Sequence, residues 1–211
     1  MLDGIIFDVD GTLWDARAQV VQAWDTAKRQ MVGLPLGMTV EEATGLFGKT
    51  MDEIAWNMFP EFTKEQAVEY SAECFQRENA LLKDNPGVMY DGVREMVREL
   101  AQRYPLFIVS NCQCGYIEIM MEAGGLTDYF SGHLCYGDTE TSKGKTIRTL
   151  MKRHGLEHVI YVGDTQGDAD ACKEADVPFL FVEYGFGTVD ETYPRAKTVQ
   201  DIPRVLAELD R

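Results

Sequence analysis

The chain has 211 residues, 45% of them hydrophobic and 26% charged, with 20 basic residues against 35 acidic ones for a net charge of −15. This length and composition describe one folded domain, or one domain with an insertion, and exclude a collagenous, low-complexity or disordered chain. The acidic balance excludes bulk binding to nucleic acid or an anionic membrane, which needs a basic footprint, and no apolar run approaches the roughly 20 residues of a membrane span. Met1–Gly4 has no basic leader, and Asp8 and Asp10 cut the apolar stretch that follows, so no signal peptide is expected. The five cysteines are scattered and form no C-x-x-C pair. A cytosolic protein without a disulfide framework or structural zinc is expected.

In chain order, residues 4–9 form a short apolar run ending in Asp8-Val9-Asp10-Gly11-Thr12, the pattern of a buried strand followed by a turn. Residues 15–32 lack Gly and Pro and carry Val20, Val21, Trp24, Ala27 and Met31 at helical spacing. From about 38 to 83 the pattern is helical throughout, with capping boxes at Thr39/Glu42 and Thr63/Gln66. After Asn85-Pro86-Gly87 strands and helices alternate. Helices are expected over 92–103, 117–123, 145–154, 169–175 and 202–209. Strands are expected over 105–110, 158–162 and 177–182, with a weaker one near 133–136. The fold class is therefore α/β: a Rossmann-like parallel sheet core from residues 1–14 and 86–211, interrupted by an all-helical insertion over 15–85.

Ligands of open α/β sheets bind at the carboxyl ends of the strands, so the residues there carry the functional signal. They are Asp8 and Asp10 after the first strand, Ser110-Asn111 after the second, and Gly163-Asp164 with Asp168 after the strand at 158–162. Lys143 opens the helix before that last strand, and Lys145 is its rival. One carboxylate of the Asp8/Asp10 pair can attack phosphorus while the other handles the leaving-group proton. Turn N–H groups from Val9 to Thr12 can receive phosphoryl oxygens. Asp8, the Asp10 region and Asp164 offer the oxygen ligands that Mg2+ prefers, with Asp168 orienting the ion from behind. Taken alone, Asp164 and Asp168 read equally well as helix-capping residues. His133, His154 and His158 stand at no strand end and read as structural or surface residues. Cys112 and Cys114 lack a histidine partner and have no assigned role.

These residues resemble the haloacid dehalogenase superfamily, whose four signatures occur in order across the chain. They are Phe7-Asp8-Val9-Asp10-Gly11-Thr12-Leu13, Ile108-Val109-Ser110-Asn111, Lys143, and Val162-Gly163-Asp164-Thr165-x-x-Asp168. The helical insertion resembles the cap of the branch that holds phosphoglycolate phosphatases and β-phosphoglucomutases. The resemblance implies Mg2+-dependent phosphomonoester hydrolysis through an aspartyl-phosphate. Asp8 would be nucleophile and Asp10 acid/base, with Ser110, Asn111, Lys143 and Thr12 at the phosphoryl group. Asp8, the Asp10 carbonyl and Asp164 would hold Mg2+. An acid at position 10 disfavours a dehalogenase, because halide leaves without a proton. Gly144 replaces the Pro that many relatives carry after the lysine. The loop Gly45–Thr50 matches the place where relatives contact the rest of the substrate, so Lys49 and Thr50 are expected to meet its anionic group or hydroxyl. Hinges are expected near residues 14–16 and 82–86. The expected partner is a small phosphorylated metabolite rather than nucleic acid or a membrane, and the expected assembly is a monomer or weak homodimer. A phosphomutase and a non-catalytic phosphometabolite sensor are the competing readings.

Overall fold

The computed structural model describes residues 1–210. Its centre is β1 (Gly4–Phe7), four residues buried on both faces. The chain leaves through β2 (Trp14–Asp15) into four helices: α1 (Arg17–Val32), α2 (Val40–Thr44), α3 (Met51–Met58) and α4 (Lys64–Asp84). It returns through β3 (Val88–Met89), which pairs antiparallel with β2. The alternation then runs α5 (Val93–Leu100), β4 (Leu106–Ser110), α6 (Tyr116–Gly124), β5 (Phe130–Cys135), α7 (Tyr136–Thr139) and α8 (Lys143–His154). It continues with β6 (Val159–Gly163), α9 (Gln166–Ala175), β7 (Phe179–Val182), β8 (Arg195–Ala196) and α10 (Ile202–Leu209).

The sheet order is β5-β4-β1-β6-β7-β8, and every pairing in it is parallel. The strands therefore read as continuous Ile/Val/Phe runs, because both faces are covered. Ile5 and Phe7 point toward α5, α6 and α10. Ile6 points the other way, toward α8 and α9. Because β4 and β6 flank β1 on opposite sides, the strand order reverses beside β1, and a crevice opens at the carboxyl ends of these three strands.

The capping boxes at Thr39 and Thr63 start α2 and α4 as the sequence pattern requires. Glycines at 125 and 155 stop α6 and α8 in left-handed caps. The strand expected near 133–136 is longer and earlier, at Phe130–Cys135, because β4 holds it in parallel register as an edge. The β2/β3 ribbon and β8 have no local pattern: each is two residues long and exists only through its partner. The ribbon lies at the neck between sheet and helices, beside the expected hinge residues 14–16 and following the expected hinge at 82–86.

The helical segment carries its own core. Val20, Trp24 and Ala27 of α1 face Ala67, Cys74 and Phe75 of α4. Lys28 is fully buried there: its Nζ donates to the Met58 carbonyl at 2.6 Å and pairs with Glu61 at 3.0 Å. A buried lysine is tolerated only with such partners. Lys28→Ala is expected to cost about 3 kcal/mol, by stranding the Met58 carbonyl and opening a cavity. A fall in Tm of roughly 6–12 °C in a thermal melt would register it.

Candidate active site

Asp8 follows the last residue of β1 and is almost fully buried. Its Oδ1 accepts from Lys143 Nζ at 2.9 Å, and the same ammonium donates to Asp168 Oδ1 at 2.7 Å. Tyr161, in the middle of β6, reaches both carboxylates at 3.4 Å while its hydroxyl donates to the Val109 carbonyl at 2.7 Å. Lys143 is therefore the lysine of the site. Lys145 is exposed, because α8 turns it to the outer face. Gly144 also has a geometric cause: a Cβ there would lie 2.8 Å from the Ala171 carbonyl, so α8 and α9 approach too closely for a larger residue.

Asp164 lies just past β6, fully buried. Its Oδ2 accepts the Phe186 N–H at 2.6 Å, and its Oδ1 is within 3.4 Å of the Thr12 hydroxyl. Gly11 passes so close that a Cβ would lie 2.2 Å from Asp164 Oδ2, and its φ of +79° suits glycine. Asp168 uses its other oxygen as the partner of the Thr165 capping box, accepting from the Thr165 hydroxyl at 2.7 Å and from the Thr165 and Asp164 amides. Asp168 thus has partners on both oxygens and orients its neighbours, whereas Asp8 is bonded by Lys143 through Oδ1 alone and Asp164 has one short bond and one long one.

Asp8, Asp164 and Asp168 each place a carboxylate oxygen within 4.8 Å of the others. Burial pushes Asp8 up to about 6, against the opposing pull of Lys143. Burial and the neighbouring acids push Asp164 up to about 8. Burial alone would also raise Asp168, but Lys143 and the Thr165 bonds hold it below the usual carboxylate range. Burial would lower Lys143, but its two carboxylates outweigh that and keep it protonated. Three buried acids share one lysine, and hard oxygen donors in that excess fit a divalent cation. Asp8 and Asp164 would be its carboxylate ligands.

Asp10 faces the same crevice. Its Oδ1 accepts from the Tyr116 hydroxyl at 2.7 Å and from Trp14 Nε1 at 3.2 Å. Burial raises its carboxyl well above the ordinary range, despite the Tyr116 bond. Beyond Asp10 lies a narrow cavity of about 30 Å³, with Ser110 and Asn111 on the sheet side and Phe47, Gly48 and Glu78 on the helical side.

Three expected site residues have other work. The Thr12 amide turns back to the Val9 carbonyl and its hydroxyl faces Asp164, so Thr12 braces the turn. Thr50 is the N-cap of α3, its hydroxyl exchanged with Glu53 in a capping box. Lys49 is exposed and lines no part of the cavity. The α3 cap turns both outward, and the loop presents Phe47 and Gly48 instead. Asn111 does reach the cavity, but its Nδ2 donates to the Gly48 carbonyl at 2.8 Å and ties the loop to the sheet. Cys112 lines the cavity with its thiol held well above its usual range, chiefly by burial, which disfavours the thiolate. None of the three histidines lines it. Tyr116, Trp14, Tyr161 and Glu78 are site residues that motif reading passed over. Only Tyr161 left a trace, a polar ring inside an otherwise apolar buried strand.

A family model described as haloacid dehalogenase-like hydrolase matches residues 5–182. Among curated proteins, a phosphoglycolate phosphatase of Vibrio vulnificus (strain CMCP6) is 29% identical over 199 residues, covering 86% of this chain and 84% of its own. One of Yersinia pestis is 25% identical over 190 residues, covering 87% and 82%. Among solved structures, a "predicted phosphatase" from Clostridium acetobutylicum superposes with a TM-score of 0.82 at 17% identity, over 99% of both chains.

Removing the shared cation isolates its contribution. Lys143→Met is expected to cost about 3–5 kcal/mol near pH 7.5, because it leaves buried carboxylates uncompensated. Without Lys143 nothing opposes the burial that raises Asp8, so its carboxyl rises further in the variant than the value of about 6 in the wild type. The variant therefore bears the larger cost of ionising it at pH 7.5, and that extra cost is relieved as the carboxyl is protonated toward pH 5. In the wild type Asp168, lowered by Lys143, keeps its stabilisation at both pH values. The gap between wild type and variant is expected to shrink toward pH 5. Urea melts at the two pH values read this directly.

Proposed function

The chain belongs to the haloacid dehalogenase-like hydrolase family, and we propose that it is a Mg2+-dependent phosphatase that hydrolyses a small phosphorylated metabolite through an aspartyl-phosphate on Asp8. The observation that carries this reading is the pairing of two carboxylates in different states across one crevice. Asp8 is held by a lysine, and Asp10 is held by neutral donors and favoured in its protonated form. The names of the curated relatives support the same reaction class.

Lys143 occupies Asp8 Oδ1, which leaves Oδ2 to attack phosphorus. The Oδ2–P bond forms as the ester P–O bond breaks. Trp14 and Tyr116 occupy Asp10 Oδ1, which leaves Oδ2 to pass its proton to the departing oxygen. Asp10, now ionised, takes a proton from water, whose oxygen attacks phosphorus. Phosphate leaves and Asp8 is restored. Ser110 and Lys143 bind phosphoryl oxygens, and Asp168 keeps Lys143 in place. Asp8, the Asp10 carbonyl and Asp164 would hold Mg2+, which would supply neutralising charge for the phosphoryl group.

The 30 Å³ cavity has room for about one water molecule, so substrate entry requires the helical segment to move from the sheet. We assign the boundaries of that cap to residues 15–85, with the β2/β3 ribbon at its neck. Phe47 packing on Phe186 and the Asn111–Gly48 bond close it.

Asp8→Asn is expected to reduce phosphate release by roughly 10^3-fold or more with the fold intact by circular dichroism. Substantial residual turnover would remove Asp8 as nucleophile. Chelation is expected to stop wild-type turnover and Mg2+ to restore it. Full activity in chelator would overturn the metal role. Free phosphate released without a bisphosphate activator separates a phosphatase from a mutase.

A further inference from the structure

The helical side of the cavity has an unusual wall. Trp24, Phe47, Ile54 and Phe75 make it apolar, and into it α4 places one carboxylate, Glu78, only 3% exposed. Among the described residues, no lysine, arginine or histidine lines this cavity. Lys143 is committed to Asp8 and Asp168. Arg17, near its edge, is bonded to Asp15 at 2.6 Å and to Thr44, and is stacked 3.9 Å over Phe186.

Glu78 is held without being neutralised. Its Oε2 accepts the Trp24 indole N–H, and its Oε1 accepts Gln113 Nε2 at 2.9 Å. Gln113 also donates to Asn79 Oδ1 at 2.9 Å, which fixes its amide as a donor. Two neutral donors satisfy roughly half of the four acceptor sites of a carboxylate. The remainder is a buried acceptor without a counter-ion, which is costly unless a ligand completes it. A substrate carrying a carboxylate at that end would meet the Glu78 carboxylate, with no lysine, arginine or histidine among the lining residues to offset it.

Resting on the phosphatase reading, we infer that Glu78 is a specificity-determining residue that selects phosphomonoesters whose alcohol half carries a hydrogen-bond donor, an ammonium or a hydroxyl, and rejects those carrying a carboxylate. The aromatic walls suit either donor, by cation–π contact or by packing on carbon. This selection would separate the chain from the phosphoglycolate phosphatases it is similar to.

The test is a nearly isosteric trio: 2-aminoethyl phosphate, 2-hydroxyethyl phosphate and phosphoglycolate. It is run with Mg2+ at pH 8, above the value of about 7 to which burial pushes Glu78. p-Nitrophenyl phosphate, whose leaving group needs little recognition, is the reference ester. Wild type is expected to favour at least one donor-bearing ester over phosphoglycolate by roughly tenfold or more in kcat/KM. Which of the two leads tells ammonium from hydroxyl. Glu78→Gln is expected to narrow that ratio by roughly tenfold, chiefly through KM. A merely structural role would lower all three esters together and leave the ratio alone. Turnover of p-nitrophenyl phosphate with phosphoglycolate equal to or better than both donor esters, with none of the three used, or with a ratio unmoved in Glu78→Gln, overturns the inference and leaves the phosphatase standing. Silence on every ester including the reference overturns the phosphatase reading and this inference with it.

Discussion

Lys143 is the group on which the site depends. Asp8, Asp164 and Asp168 are buried within 4.8 Å of one another, where mutual repulsion is of order several kcal/mol per pair at an effective dielectric near 20. One ammonium bridging Asp8 and Asp168 makes that crowding tolerable. It keeps Asp168 ionised, and Asp168 then fixes the Thr165 turn and the Asp164 amide. Asp164 is left raised and only partly satisfied. In the proposed reading a cation bound by Asp8 and Asp164 would favour the ionised forms that burial opposes.

The second carboxylate of the crevice is treated in the opposite way. Asp10 receives neutral donors, Tyr116 and Trp14, so burial dominates and favours its protonated form. Two acids separated by one residue thus diverge because one has a cation and the other does not. Trp14 links this chemistry to the neck of the helical segment: it pairs with Met89 in the ribbon, packs edge-on against Tyr116, and donates to Asp10. Trp14 thus touches both the neck of the helical segment and the Asp10 carboxylate.

Local patterns made much of the molecule legible. Asp8, Asp10, Ser110, Asp164 and Lys143 could be singled out as candidates because each stands at the end of a buried apolar strand or opens a helix, and parallel α/β chains gather those ends on one edge. Capping boxes and terminal glycines marked most helix ends in the same local way. The α3 cap shows the limit of such reading. Thr50-Asp52-Glu53 is as clear a capping box as the other two, yet position in a substrate-facing loop suggested a ligand contact, and the hydroxyl is spent on the helix.

By itself, then, the sequence determined the α/β alternation, the helical insertion and the acidic strand ends, since these follow from hydrophobic period and turn chemistry within a few residues. Only the tertiary structure decided which lysine serves Asp8, since Lys143 and Lys145 differ solely in which side of α8 faces β1. It also decided that Gly48 and Glu78, rather than Lys49 and Thr50, face the crevice. Those choices join residues 25 to 135 positions apart. They are made by packing between elements, and no window of sequence contains both partners.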